Sequence, residues 1–252
     1  MNMEEPEILF RDDYYIAVNK PAGLAVHHSQ LTRDQKRFLV PVIRNMIGQH
    51  VYPVHRLDRP TGGVMLLAFN SEATRLMSDR FVAGKIKKTY LTVVRGHAAE
   101  EGRIDHPLTK STDEIGRRKD KRSAVTDFRR LAIAELPFPV GRYVTARYSF
   151  VQARPHTGRQ HQIRRHFNHI SHPIIGDRKY GDNQHNRFFS DHFECNRLLL
   201  AAIALEFTHP YTEKPIRIEA PLDSKFSTMV EKLGWSTILS SGRSHTEYDP
   251  HI

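Results

Sequence analysis

Apolar and polar positions alternate with a period of two over residues 87–96 (KKTYLTVVRG), 124–136 and 142–153. In the last stretch Tyr143, Thr145, Arg147 and Ser149 interleave with Val144, Ala146, Tyr148 and Phe150, the period of a strand. GVMLLAF (63–69) has no polar break and predicts a buried strand. Two short strands are expected in EILFRDDYYIAVNKPAGLAVHH around a turn at Lys20-Pro21-Ala22-Gly23, and late strands in LLLAAIALEF and KPIRIEAP. Helical spacing appears at 34–48, in Leu39, Val40, Ile43, Met46 and Ile47, with Pro41 marking an early turn or kink. It returns after Ser71, read as a cap, with Ala73, Leu76, Met77 and Phe81 as the apolar face and Gly84 as the stop. Further helices are expected at 159–170 and at 222–235, the second ending at Trp235. No internal repeat or linker interrupts these elements. The pattern predicts an α+β fold: one catalytic-size domain over 1–235 with a large mixed, mostly antiparallel sheet flanked by helices and loops. Residues 236–252 read as a loose polar tail.

Composition narrows the possibilities. The chain has 252 residues, 39% of them hydrophobic and 26% charged, enough for a sizeable core. No apolar run approaches the roughly 20 residues of a membrane span, and MNMEEPEILF lacks the apolar centre of a secretory signal, so a cytoplasmic protein with no membrane partner is expected. A single cysteine, Cys195, excludes an internal disulfide and a multi-cysteine zinc site, including that of the zinc deaminases. Neither G-x-G-x-x-G nor G-x-x-x-x-G-K-[ST] occurs, so the phosphate cradles of dinucleotide and P-loop chemistry are missing. No cofactor and no metal site are expected. The net charge of +10 favours a polyanionic partner, although a merely well-solvated basic surface has the same composition.

Charge placement is more telling than charge itself. Residues 109–123, TKSTDEIGRRKDKRS, hold six Lys or Arg, among them Arg117, Arg118 and Lys119, and almost nothing apolar. They form either a solvated loop or a clamp on phosphates. In HRLDRPTGG (55–63) a lone carboxylate, Asp58, stands between Arg56 and Arg59 at the mouth of a turn built with Pro60, Gly62 and Gly63. Flanking cations favour its ionised form, which suits a nucleophile or an electrostatic catalyst as well as a plain surface turn. On helix 159–170, Ile163, Phe167 and Ile170 form an apolar stripe, and Arg164 lies about 100° round from Ile163 at the stripe's edge. An arginine half buried there wants a carboxylate; one that snorkels to solvent does not. Arg159, Gln160, Arg165 and Asn168 offer donors along the other faces. His166 and His169 share the helix without a carboxylate or cysteine beside them, which favours packing or phosphate contact over metal ligation.

Four motifs in order resemble one family. HRLDRPTGGVMLLA is similar to the H-R-L-D-x-x-T-S-G signature of the RluA-type pseudouridine synthases, VNKPAGLAVHHS to their upstream K-P-x-G segment and KKTYLTVVRG to their tyrosine strand. TGRQHQIRRHFNHISHPIIGDRKYG resembles their T-G-R-x-H-Q-I-R and H-P-I-x-G-D block. The resemblance spans residues 8–210. It implies a cofactor-free isomerase that turns a uridine of RNA into pseudouridine. Asp58 would be the catalytic aspartate, and Tyr90 the active-site tyrosine, serving as or positioning the general base. Arg164 would be the ion-pair partner of Asp58, and Arg56 the arginine that enters the RNA stack when the target uridine flips out. Arg117, Arg118, Lys119, Arg159 and Arg165 are further expected RNA contacts.

GRYVTARYSFV and NRFFSDHFECNRLLL resemble the tRNA-modifying members of the family, and no small RNA-binding domain precedes the core; this resemblance implies tRNA as the partner, at uridine 65 of the T stem. Ribosomal 23S RNA is the alternative, and a monomer is favoured. Gly62 replaces the usual serine of T-S-G, and Ala201 a histidine common in relatives. Two rival readings remain at this stage: an inactive RNA-binding protein on the same scaffold, and a metal-dependent nuclease in which Asp58, Asp177 and Asp182 converge. Whether Asp58 would attack C1′, attack the base or take a ribose proton stays open.

Overall fold

The computed structural model describes residues 5–27, 37–109 and 121–241. Its strands are β1 (Glu7–Arg11), β2 (Tyr15–Lys20), β3 (Tyr52–Pro53), β4 (Gly62–Ala68), β5 (Lys87–Arg95), β6 (Glu101–Asp105), β7 (Leu108–Thr109), β8 (Lys121–Arg122), β9 (Val125–Leu136), β10 (Ala146–Pro155), β11 (Leu200–Thr208) and β12 (Pro215–Glu219). The helices are α1 (Leu39–Ile47), α2 (Ser71–Val82), α3 (Gln162–His169), α4 (Asn183–Phe193), α5 (Ser224–Lys232) and α6 (Ser236–Ser241). Ten strands form one sheet in the order β1-β2-β4-β11-β5-β10-β9-β6, with β12 beside β11 and β3 beside β4, while β7 and β8 make a separate ribbon. Only the β4–β11 junction is parallel among the described pairs, so the expected mostly antiparallel α+β architecture is what the chain adopts.

The period-two pattern sorts side chains onto two covered faces. From β4, Val64, Leu66 and Ala68 join Tyr15, Ala17, Ala73 and Met77 beneath α2. The alternate residues Met65 and Leu67 join Ile16, Val18, Leu39 and Ile43 beneath α1. Every residue of β4 is buried, which is why its sequence shows no polar break. Further along the sheet, Val93, Tyr148, Phe150, Phe189, Phe226 and Trp235 pack on one face, and Val94, Val151, Ile163 and Phe167 on the other, under α3.

Local chemistry moves several expected boundaries. The first two strands turn at Asp12, not at Lys20–Gly23: Asp12 Oδ1 accepts from the backbone N–H of Tyr14 and Tyr15, each at 2.7 Å. A second strand does not follow Gly23, where only an isolated Ala25–Phe38 bridge forms. The cap of α2 is Asn70, whose side chain accepts from Ala73 N at 2.8 Å, one residue before the expected Ser71. Helix α4 escaped the pattern reading because its apolar positions are five phenylalanine or histidine side chains; Asp182 caps it by accepting from Gln184 N and His185 N. The expected loose tail begins as helix α6. Trp235 is buried, stacks on Phe150 and donates to Ile133 O at 3.1 Å, and Ile238 packs against the same cluster. Residues 242–252 lie outside the described residues.

The parallel junction has a strict steric requirement. Gly63 has φ 111°, and a Cβ built there would lie 2.0 Å from Ala202 O. Gly62 is merely tight, its nearest neighbour being Lys20 O at 3.3 Å. Gly63→Ala is therefore expected to cost at least about 3 kcal/mol, from overpacking plus a backbone region that L-residues avoid. Gly62→Ala is expected to stay within about 1 kcal/mol. Urea unfolding of both variants checks the contrast.

Candidate active site

The turn before β4 delivers Asp58 to the middle of the sheet. Asp58 O accepts from Thr61 N at 3.0 Å, and Thr61 is itself buried, so the turn is fixed on the strand it introduces. Behind it lies Lys20, fully buried, donating to Pro21 O (2.9 Å), Leu24 O (2.8 Å) and Arg59 O (3.3 Å). Burial brings this ammonium down to about 7, against the pull of Asp58. Gly23 N also donates to Arg59 O at 2.8 Å. Arg59, for which the sequence suggested no role, thus serves through its carbonyl, which ties the K-P-x-G turn to the Asp58 turn.

Arg164 reaches Asp58 from α3. Its Nη1 donates to Asp58 Oδ2 at 3.1 Å. The stronger hold on the guanidinium comes from elsewhere: Nε and Nη2 donate to Asp177 Oδ2 and Oδ1 at 2.7 and 2.8 Å. Arg164 is 6% exposed and Asp177 1% exposed, so the pair is buried rather than half buried as the helix register implied. Asp177 also accepts from the backbone N–H of Lys179 and Tyr180. Burial alone would raise the Asp177 carboxyl, but the hydrogen bonds and charge of Arg164 outweigh it and hold it below the usual range. A buried guanidinium shared by two carboxylates leaves one of them, Asp58, facing a cleft.

That cleft encloses about 640 Å³ and is lined by Asp58, Arg56, Tyr90, His156, Arg159 and His161 among others. Tyr90 packs against the clusters beneath both α1 and α3. Burial, and then the charge of Asp58, push its phenol well above the ordinary range, so it is a neutral O–H group at pH 7. On the adjoining wall Lys88 donates to Thr157 O at 3.1 Å, and burial lowers it to about 8. His55 is brought down to about 3 by burial and by Lys88; its neutral Nε2 accepts from Leu66 N at 3.0 Å while its ring stacks on Phe81. His161 opens α3 with φ 55°, a left-handed conformation that costs a non-glycine residue about 1 kcal/mol or more. Its Nε2 lies 3.8 Å from Asp58 Oδ1, and its Nδ1 lies 3.0 Å from Tyr180 Oη.

Asp58, Tyr90 and Arg164 therefore converge, and exposed Arg56 stands at the cleft mouth. Arg159 lines the cleft but donates its Nε to Ser123 O at 3.0 Å. Arg165 turns away and donates to Thr109 O and Thr109 Oγ1 at 2.9 and 3.1 Å. The two arginines expected on RNA hold the two legs of the segment that carries Arg117, Arg118 and Lys119, which lie outside the described residues. His166 is buried against Thr126 and His106, and His169 stacks on His106, so both pack. The sequence reading missed Asp177 as the clamp on Arg164, although it had quoted the G-D of that block. It also missed His161, Tyr180 and Gln162. Buried Gln162 knits the T-G-R turn by accepting from Arg159 N and Thr157 Oγ1 and donating to Val125 O.

The nuclease arrangement does not form. A guanidinium fills the space between Asp58 and Asp177, and Asp182 caps α4 and pairs with Arg95 at 2.5 Å. Among the described residues no three His, Cys, Asp or Glu side chains are grouped to hold a metal ion.

Residues 14–169 match the family model described as RNA pseudouridylate synthase, a stretch that contains Asp58, Tyr90 and Arg164. The chain belongs to this family. It is 48% identical over 235 residues to tRNA pseudouridine synthase C of Haemophilus ducreyi, covering 92% of this chain and 97% of that protein. It is 45% identical to the protein of the same name from Haemophilus influenzae, covering 92% and 99%. Against the tRNA pseudouridine synthase C of Pectobacterium carotovorum it is 47% identical over 92% of its own length and spans 63% of that protein. Its fold is similar to human RNA Pseudouridylate Synthase Domain Containing 4, with a TM-score of 0.67 at 23% identity, covering 90% of this chain and 93% of that one.

The Asp177 clamp carries its own signature. Asp177→Asn leaves a buried guanidinium without its bidentate partner and is expected to cost about 3–5 kcal/mol at pH 7. Because the folded-state value of Asp177 lies below the unfolded one of about 3.9, its stabilisation is present above about pH 4 and is lost as pH falls through the folded value. Urea unfolding should therefore show parent and variant converging as pH drops from 7 to 3.

Proposed function

We propose that the protein is a tRNA pseudouridine synthase that isomerises uridine 65 in the T stem, acting as a cytoplasmic monomer. The observation that carries this reading is Asp58, fixed by a buried Arg164–Asp177 pair at the bottom of a cleft of nucleotide size. The names of the near-full-length relatives supply the tRNA substrate. The segments GRYVTARYSFV and NRFFSDHFECNRLLL support the T-stem uridine.

The chemistry is an isomerisation. The N1–C1′ bond breaks, the uracil turns, C5 bonds to C1′, the C5 proton leaves and N1 gains a proton; no electrons enter or leave. The target base has to leave its stack, at a cost of a few kcal/mol, and Arg56 at the mouth is placed to fill the gap it leaves. Positive charge developing at C1′ is stabilised by Asp58, whose two oxygens are differently engaged: Oδ2 accepts from Arg164 while Oδ1 faces the cleft beside His161. Tyr90, held neutral, offers a ring face to the base and a phenolic O–H, so it orients the uracil and does not act as a phenolate base. Exposed Lys121 and Arg122 adjoin Ser123, which Arg159 fastens to the cleft wall, and they extend the cationic rim toward phosphates.

Asp58→Asn separates binding from chemistry. Its affinity for tRNA should stay within about two-fold of the parent or tighten slightly, since one negative charge leaves a basic cleft. Pseudouridine formation should fall below detection, because an amide neither attacks carbon nor takes a proton at neutral pH. Mapping pseudouridines in tRNA and ribosomal RNA incubated with each protein checks both site and target. Comparable activity in the Asn variant would remove Asp58 from the chemistry, and modification confined to ribosomal RNA would overturn the tRNA assignment.

A further inference from the structure

Asp58 has two carboxylate oxygens, and Arg164 takes only one of them. While Oδ2 accepts from Arg164 Nη1 at 3.1 Å, Oδ1 faces His161 Nε2 at 3.8 Å. His161 caps the start of α3 and Arg164 lies in its first turn, and both side chains reach the Asp58 carboxylate. Tyr180 supports the pair from beneath. Its Oη lies 3.0 Å from His161 Nδ1, and its ring stands edge-on to the imidazole at 5.6 Å and under the Arg164 guanidinium at 5.2 Å. The Tyr180 N–H donates to Asp177, so the loop that clamps Arg164 also braces His161.

The carboxylate decides the tautomer. A lone pair on Nε2 would point at an anionic oxygen, so the hydrogen belongs on Nε2, and Nδ1 accepts from the Tyr180 O–H. We infer that His161 is a second positioning residue for Asp58, an N–H donor directed at Oδ1 while Arg164 holds Oδ2, with Tyr180 bracing its Nδ1 side. This role rests on the reading of Asp58 as the reacting carboxylate. At 3.8 Å the contact is beyond hydrogen-bond length, and a shift of under 1 Å on nucleotide binding brings it within range. Burial lowers the imidazole's affinity for a second proton, with Asp58 opposing and Arg164 reinforcing that effect; the neutral ring this leaves is the form that can accept from Tyr180.

The test uses His161→Gly, His161→Asn and Tyr180→Phe in the full chain, with single-turnover rates and tRNA Kd measured separately. Glycine removes the ring while relaxing the backbone, so the fold is retained, and thermal unfolding confirms it. The rate at saturating tRNA should fall by about 30- to 100-fold in His161→Gly with Kd within about two-fold, the size of loss expected when a reacting group is held loosely. Tyr180→Phe should lose about 5- to 10-fold, since the ring stays and only the hydrogen bond that steadies the imidazole is lost. His161→Asn, which keeps a short N–H donor, should fall between the parent and the glycine variant. Rates within about three-fold of the parent in both His161 variants would overturn the inference, leaving His161 only a helix-start role; so would a loss confined to Kd. A parent that forms no pseudouridine overturns the functional reading instead. In that event an NMR titration still decides the geometry: Asp58→Asn should lower the pKa of the His161 imidazole, and an unchanged value would refute the facing.

Discussion

A guanidinium that cannot leave the protein's interior sets the terms for everything around it. Arg164 is enclosed, so its charge has to be answered locally, and Asp177 answers it with a bidentate contact. The remaining nitrogen, Nη1, donates to Asp58 Oδ2. The energetics divide the labour between the two carboxylates. Asp177 is occupied on both oxygens and chemically silent, while Asp58 is held in place yet keeps an oxygen toward the cleft. A single arginine with a single partner could not give both rigidity and availability.

The sheet brings these groups together from distant parts of the chain. Asp58 enters with β4, Tyr90 lies on β5, and α3 is pinned by Ile163 and Phe167 to β5, β10 and β11. The close contact of Gly63 with Ala202 lets β11 lie directly against β4. Buried Lys20 performs a related task with backbone carbonyls. It gathers three of them around one ammonium and so ties two turns that would otherwise move independently.

Much of this was legible in the residues. The unbroken apolar run of β4 announced a strand covered on both faces, and the Ile163–Phe167 stripe set which way Arg164 would point. What escaped notice depended on tertiary neighbours. Asp177 looks like a loop carboxylate among cations until the loop folds under α3. Arg159 and Arg165 read as free donors because nothing in their spacing reveals that Thr109 and Ser123 come back to meet them. The left-handed backbone of His161 lies inside the stretch that reads as helix from residue 159, so the pattern hides it. The hairpin at Asp12 was misplaced because Pro21 and Gly23 are the louder turn residues, whereas a single carboxylate accepting two backbone N–H groups turns the chain there.

The separations along the chain bear on how the protein matures. Arg164 and Asp177 are 13 residues apart and can find one another across a short loop, whereas Arg164 and Asp58 are 106 residues apart. Closing the longer loop requires β11 to insert between β4 and β5, the most non-local pairing in the sheet. Long-range strand pairing is slow because the entropy of loop closure is lost before the contacts repay it. The clamp can therefore form on a nascent or partly collapsed chain, while the carboxylate it serves arrives last. The contact between Arg164 and Asp58 thus coincides with topological completion of the sheet.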